Sequence, residues 1–442
     1  MKKNIDFLLF YEVETRELEN LTLLKIYLEN EGFSVRISDS YGPQYLESIK
    51  KYIPKIVVVP WLRNNENFFR YSRFKMKIRQ IVNLQCEQVY NTRLKKNGVS
   101  SINGLCKYAK HICWGQTSYT RLCCNVKKNN LLIAGALHLD FCRPEFSSYY
   151  LTKNQLSKEF NLKQNRKWNI FVSSFSYATF SKKRINEIEK SYCDMQDFIE
   201  ISKKSRIKIL QWTENFLSNN PDVEYIYRPH PVESYDQQLR DMENKYSNFY
   251  VIRKYSVKQW IRVCDIINNW FSTSLTEIYF LEKSCNIIRP LKIPEDLENE
   301  MMANAQFITT ERDFIEKNKI DSRDREFPID ENIIKSYYYF DKNIPTYKII
   351  GDYLIDFLNS GEKIDYNFTD IEIKKYKKNL RKSLFYSYIS LINKKLNLKM
   401  SKLIFNKNSE LKRKLENIEN YIGFEKRLQE RETKIRNCIL NK

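Results

Sequence analysis

Two segments of this chain combine residue types that handle phosphate. The first, YIYRPHPVES at 225–234, sets Arg228, Pro229, His230 and Pro231 directly after a β-prone run. Arginine offers a planar fork of donors that matches phosphate, and histidine adds a donor that carries charge beside an anion. Two prolines can continue neither a strand nor a helix, so they stiffen the loop and aim both side chains outward. The chain has only three histidines, and one clamped between prolines at a strand end suits ligand contact better than core filling. The second segment, DIINNWFSTSLTEIYFLEKS at 265–284, runs from a strand over 265–269 through Ser272, Thr273 and Ser274 into a helix from Leu275. These hydroxyls stand where helix caps belong, with Glu277 as the acidic partner of a capping box. The same hydroxyls and loop N–H groups, beside the positive end of a helix dipole, also suit a phosphate or a ribose. Capping alone explains them, but beside an RPHP loop the phosphate reading gains weight.

Such loops need strands to carry them. Residues 5–13 read as a first buried strand, and LENLTLLKIYLENEG as a helix closed by Gly32. FSVRISDS and KIVVVP follow as strands, which is the strand-helix-strand rhythm of a doubly wound sheet. HICWG and 131–135 continue it to a boundary near Pro144. After a polar, lysine-rich linker, WNIFVSSFS opens a second series whose first strand ends at Ser173 and Ser174. The expected organisation is therefore α/β: a Rossmann-like domain over 1–150, a second over 165–345, a closing helix and linker over 346–372, and a basic helical tail over 373–442. Two such domains facing each other line a cleft with the loops at the carboxyl ends of their strands.

Composition narrows the class further. At 442 residues the chain has room for two or three domains, and no apolar run approaches the roughly 18 residues that would span a bilayer. Asp6 and Glu12 bracket an opening apolar run too short for a signal segment. Ten cysteines are scattered without a CxxC pair, as expected for free thiols in a reducing cytoplasm, and nothing requires a metal or a resident cofactor. Of the net charge of +21, residues 374–414 supply +13, with lysines interleaved among Leu384, Phe385, Ile389, Ile392 and Leu396. That pattern predicts an interfacial helix on an anionic membrane, with the protein peripheral at its cytoplasmic face. No groove-reading motif supports nucleic acid as a partner. Beyond Leu415 the charges mix, as on a solvent-exposed terminal helix or short coiled coil.

The segments EVETRELENLTLLKIYLENEGFSVRISD, WG at 114–115, IAGALHLDFCRPEF, IFVSSFS, RPHPVES, SVKQWIRVCDIINNWFSTSLTEIYFLEK and YYYFDKNIPTYKIIGDYLIDFL occur in an order and spacing that resemble a family. It is the bacterial surface carbohydrate biosynthesis family of GT-B type, related to capsule and lipopolysaccharide transferases. The resemblance spans about residues 5–358 and omits the basic tail. It implies an acceptor domain followed by a nucleotide-binding domain. It implies that His230 meets the donor phosphate, as in the HP motif of sialyl-type transferases and polyol-phosphate polymerases. Ser272 and Thr273 look like the accompanying hydroxyl pair, Arg228 and Glu277 like neighbours of phosphate and ribose, and Ser173 and Ser174 like cleft-lining residues. The chain departs from the family where a GNPR-x-D stretch is expected and Gly135, Ala136, Leu137, His138, Leu139 and Asp140 stand instead. His138 is then a chemical substitute on the acceptor side or an ordinary loop residue.

An inverting transfer needs a base for the acceptor hydroxyl and cationic groups for the departing phosphate. Glu12, Glu14 and Glu17, with Arg16 among them, follow the first strand; Glu14 and Glu17 rank first as base and Asp140 behind them. The expected activity is metal-independent transfer of a sugar from a nucleotide donor, of the CMP-activated acidic type, to a glycan or lipid-linked acceptor. A CDP-polyol phosphotransferase, a nucleotide-sugar 2-epimerase and a non-catalytic scaffold are the alternatives.

Overall fold

The computed structural model describes residues 1–361, apart from 41, 73–80, 183 and 187–194, together with 378, 381, 385 and 423–440. The basic stretch over 374–414, and the membrane contact expected of it, lie almost wholly outside the described residues. The chain forms two units, one of Met1–Gln88, Ser101–Asp140 and Tyr338–Lys442, the other of Val89–Ser100 and Phe141–Tyr337. The change expected near 145–165 thus falls inside the second unit. There Arg262 Nη2 donates to the carbonyls of Phe141, Cys142 and Arg143, and Gln259 bonds both backbone groups of Leu151.

The first unit is a parallel sheet in the order β2-β1-β3-β4-β5-β6. Its strands are β1 (Lys3–Tyr11), β2 (Val35–Asp39), β3 (Tyr52–Val59), β4 (Ile81–Asn83), β5 (Lys110–Cys113) and β6 (Leu131–Ile133). Phe7, Leu8, Leu9 and Phe10 of β1 and Ile56, Val57, Val58 and Val59 of β3 are all buried, as continuous apolar runs must be when helices cover both faces. The first helix, Glu14–Asn30, ends where Gly32 takes φ +90° and Phe33 N–H returns to Leu28 O at 3.0 Å. Leu18, Leu21, Leu23, Leu24, Ile26 and Leu28 are buried around this helix. They form no single stripe because the closing helix Thr346–Ser360 and the terminal helix Phe424–Leu440 both cover it. The expected solvent-exposed terminal helix is instead docked. Phe424, Leu428, Ile435 and Cys438 share a helical face and are buried, and Phe424 stacks on Tyr11 with centroids 5.9 Å apart.

The second unit has the parallel order β12-β11-β10-β7-β8-β9. Here β7 is Lys167–Val172, β8 Val223–Arg228, β9 Phe249–Val251, β10 Ile266–Asn269, β11 Asn286–Ile288 and β12 Phe307–Ile308. Phe171, Phe175, Tyr225, Tyr227 and Trp270 build the core against Phe198, Ile209 and Phe216 of the long helix Gln196–Asn219. Asn268, an odd residue for a buried strand, is satisfied by Asn318 and Asn286, each at 2.8 Å. The chain winds outward from β7 to β9 and then returns to the far side of β7 as β10. The carboxyl ends of β7 and β10 therefore flank the topological switch point, the usual crevice for a ligand in a doubly wound sheet.

Candidate functional site

Both phosphate-type segments leave the carboxyl edge of the second sheet. β8 ends at Arg228, and the following loop is held from two sides. From inside, Glu233 turns its carboxylate toward the core. Its Oε2 accepts from His230 N–H at 3.2 Å and from the Ser173 hydroxyl at 2.6 Å, and its Oε1 from the Tyr227 hydroxyl at 2.7 Å and Arg206 Nε at 3.4 Å. A buried carboxylate is tolerable when its lone pairs are filled and a cation neutralises it. Burial and the adjoining Glu233 hold the Tyr227 phenol far above its ordinary range, so it stays a donor. From outside, Arg253 donates from Nη1 to His230 O at 3.3 Å and from Nη2 to Glu233 O at 2.5 Å. The peptide groups of His230 are thus fixed by a carboxylate and a guanidinium. Val232 N–H donates to His230 Nδ1 at 3.4 Å, which makes Nδ1 the acceptor and puts the proton of the neutral ring on Nε2.

Arg228 donates to the carbonyls of Tyr255 at 2.6 Å and Arg253 at 3.4 Å. Burial, and then the neighbouring Arg253, push its pKa down to about 10. At that value the guanidinium keeps its charge at neutral pH, and an anion beside it would push the pKa back up.

The hydroxyl loop after β10 is folded by Asn269, whose Oδ1 accepts from Ser272 N–H at 2.7 Å while its Nδ2 donates to Ser272 O at 2.8 Å. Ser272 Oγ donates to Ser274 Oγ at 3.0 Å and accepts from Ser274 N–H at 3.2 Å. Thr273 is exposed. The expected capping box does not form. Ser274, at the N-cap, already has helical angles and makes no cap bond, and Glu277 accepts from Thr276 Oγ1 at 3.2 Å. The helix Leu275–Phe280 is six residues long, too few aligned peptides for a strong dipole, so any ligand binding here rests on the hydroxyls and loop N–H groups.

Between these two loops lies the end of β7. Ser173 bonds Glu233 on one side, and Ser174 Oγ accepts Phe271 N–H at 3.1 Å on the other. Because β7 alone separates β8 from β10, the two loops leave strands about 10 Å apart. The adjacent residues Ser173 and Ser174 thus tie one loop each to the end of β7. Ser173 is committed to Glu233, which makes it a support of the His230 loop. Glu233 and Arg253 carried no signal as site residues in the sequence: the first reads as part of a polar loop, and the second reaches His230 only because β9 lies beside β8.

The first-unit candidates occupy other surroundings. Glu14 is buried under the terminal helix, with Arg427 bonding both its oxygens at 2.8 and 3.0 Å and Arg431 adding a contact at 3.2 Å. Glu17 caps its own helix, accepting Glu12 N–H at 2.7 Å and Arg16 Nη2 at 2.8 Å, and burial raises its pKa despite Arg16. Arg16 also pairs with Glu87 at 2.9 Å. Asp140 accepts the N–H groups of Thr346 and Tyr347 at 2.9 and 2.7 Å, so its carboxylate caps the closing helix. His138 lies edge-on to Trp114 with ring centroids 5.3 Å apart. A depression lined by Lys163, Arg166, Lys167 and Asp222 sits at the opposite, amino-terminal edge of the second sheet, remote from this chemistry. Among the described residues, no group of three His, Cys, Asp or Glu is disposed to hold a metal, and no helix is long and apolar enough to cross a membrane.

No protein-family model matches the chain, and no curated protein matches it in sequence. Solved structures share its architecture. The wall teichoic acid polymerase TagF superposes with a TM-score of 0.51 at 11% identity, over 81% of this chain and 90% of that one. A UDP-GlcNAc 2-epimerase from Neisseria meningitidis bound to UDP-GlcNAc gives 0.49 at 12% identity, over 80% and 100%. The fold, two Rossmann-like domains of six strands each with a helical tail, is of the GT-B class. At such identities the likeness speaks to fold alone.

Proposed function

We propose that this chain is a glycosyltransferase of bacterial surface-glycan biosynthesis, moving a sugar from a nucleotide donor held by the second unit to a glycan or lipid-linked acceptor. The observation that carries the reading is the pairing, across the switch point, of the His230 loop with the Ser272 and Thr273 loop beside a half-buried arginine that, among the described residues, bonds carbonyl oxygens. In the reaction, the bond between the sugar and the phosphate oxygen breaks and the phosphate leaves with the electron pair. Arg228 and the Nε2 proton of His230 neutralise it. The acceptor hydroxyl attacks the sugar carbon and gives its proton to a general base. The basic composition of 374–414 supports work at an anionic membrane face.

The test is turnover of radiolabelled nucleotide sugars by the full chain and by His230→Ala. The variant should keep its melting temperature and lose roughly 100-fold in kcat/KM. A variant that turns over normally would remove the assignment. A second reading, transfer of a polyol phosphate, draws support from the TagF structure with CDPG, which shares the fold at a TM-score of 0.50. Phosphorus retained in the product would select it.

A further inference from the structure

Resting on that reading of the second unit, we infer that Tyr255 is a positioning residue for the donor phosphate: the left-handed turn of its backbone holds the Arg228 guanidinium that receives the phosphate. Tyr255 lies between β9 and the helix Val257–Val263 and takes φ +68°. Asn161 and Glu282 also take positive φ, but each closes a helix, where that conformation is ordinary. Tyr255 closes none, and a bulky aromatic residue in this region is strained. Contacts of its side chain offset the strain. Its hydroxyl donates to Glu159 Oε2 at 2.7 Å, its ring stands edge-on to Phe160 with centroids 6.2 Å apart, and the Lys254 ammonium, itself paired with Glu159, lies 5.0 Å above the ring. Glu159 and Phe160 end the helix Lys153–Phe160, so a regular element anchors the turn.

The turn serves Arg228. Tyr255 O accepts from Arg228 Nη2 at 2.6 Å and Arg253 O from Nη1 at 3.4 Å, while the carbonyl between them, of Lys254, accepts from Trp260 Nε1 at 2.9 Å. Trp260 has no exposed surface, so this third bond fixes the loop to the core. A guanidinium has five N–H donors, and the two bonds leave three without a protein partner among the described residues. An arginine that a ligand must first order loses side-chain entropy on binding, and one already held by two carbonyls loses less. Moving the Tyr255 carbonyl would release the shorter of the two bonds.

Isothermal titration of the full chain with CMP, CDP, UDP and GDP, followed on whichever of these binds most tightly, tests this. Tyr255→Val, whose β-branched side chain disfavours the left-handed region, should weaken binding by roughly tenfold, the worth of one charge-assisted contact. Tyr255→Gly, which takes that region freely, should stay within about threefold of the parent although it lacks the phenol ring. In an Arg228→Gln background Tyr255→Val should add no further loss, since its effect passes through the guanidinium. Should Tyr255→Val not fold, as its melting curve would show, Tyr255→Ala carries the same comparison with Tyr255→Gly. Equal losses in Tyr255→Val and Tyr255→Gly would make the side chain and not the backbone turn responsible, and would overturn the inference. Parental affinity in Tyr255→Val, or an undiminished loss in the Arg228→Gln background, would overturn it too. Each of those results leaves the transferase reading in place. Failure of the parent to bind any of the nucleotides removes that reading, and this inference with it.

Discussion

His111 lies on β5 without exposed surface, its Nε2 donating to Cys106 O at 2.9 Å and its Nδ1 accepting from Asn83 Nδ2 at 3.1 Å. Burial, partly offset by the Cys106 carbonyl, brings its pKa down to about 4 from an ordinary 6.5. The unfolded chain therefore takes the proton first. The stabilisation is complete above pH 6.5 and is lost as pH falls toward about 4, amounting to about 2 kcal/mol by pH 5. Urea midpoints at pH 7 and pH 5 measure it, and His111→Asn should flatten the difference; an equally steep loss in that variant would assign it to other groups. At this scale the sequence was readable where residue type alone carries meaning. A histidine between two prolines announced itself, whereas Glu233 became visible only through its four donors, which come from the residue after β7, from β8, the loop and a distant helix.

At the scale of elements, the stretch over 135–140 is a bracket for the closing helix. Gly135 takes φ +93°, and a Cβ there would stand 2.4 Å from Tyr339 O and 2.9 Å from Thr346 Oγ1. Asp140 caps the same helix through Thr346 and Tyr347. Gly135→Ala combines a left-handed backbone with a backbone collision, and should cost about 3 kcal/mol by thermal or urea unfolding. A variant as stable as the parent would show that Tyr339 yields freely. The strands were legible because buried parallel strands are written as continuous apolar runs. The capping box at Ser272 was not, because a cap motif states only which bonds are available, and the Asn269 side chain competed successfully for Ser272.

For the whole molecule, the terminal helix and the arginine loops belong to different units. Arg427 and Arg431 on Glu14, Glu432 on Lys25, and Phe424 on Tyr11 hold the helix to the first unit. Ending the chain at residue 423 should lower the apparent melting temperature by several degrees, since buried apolar side chains and ion pairs are lost together. The rise in melting temperature produced by a bound nucleotide should persist, because that stabilisation is set by the ligand's affinity for the second unit. Loss of the ligand shift on truncation would contradict this. The sequence by itself determined two doubly wound units and the residue types at the RPHP and STS loops, because alternating strand and helix periodicities and proline geometry are local properties of the chain. Only the tertiary structure decided that Arg253 joins His230, that Glu233 faces inward, and that Asp140, Glu14 and Glu17 are already engaged. Those facts depend on which strands become neighbours, and strand order is set by core burial across hundreds of residues.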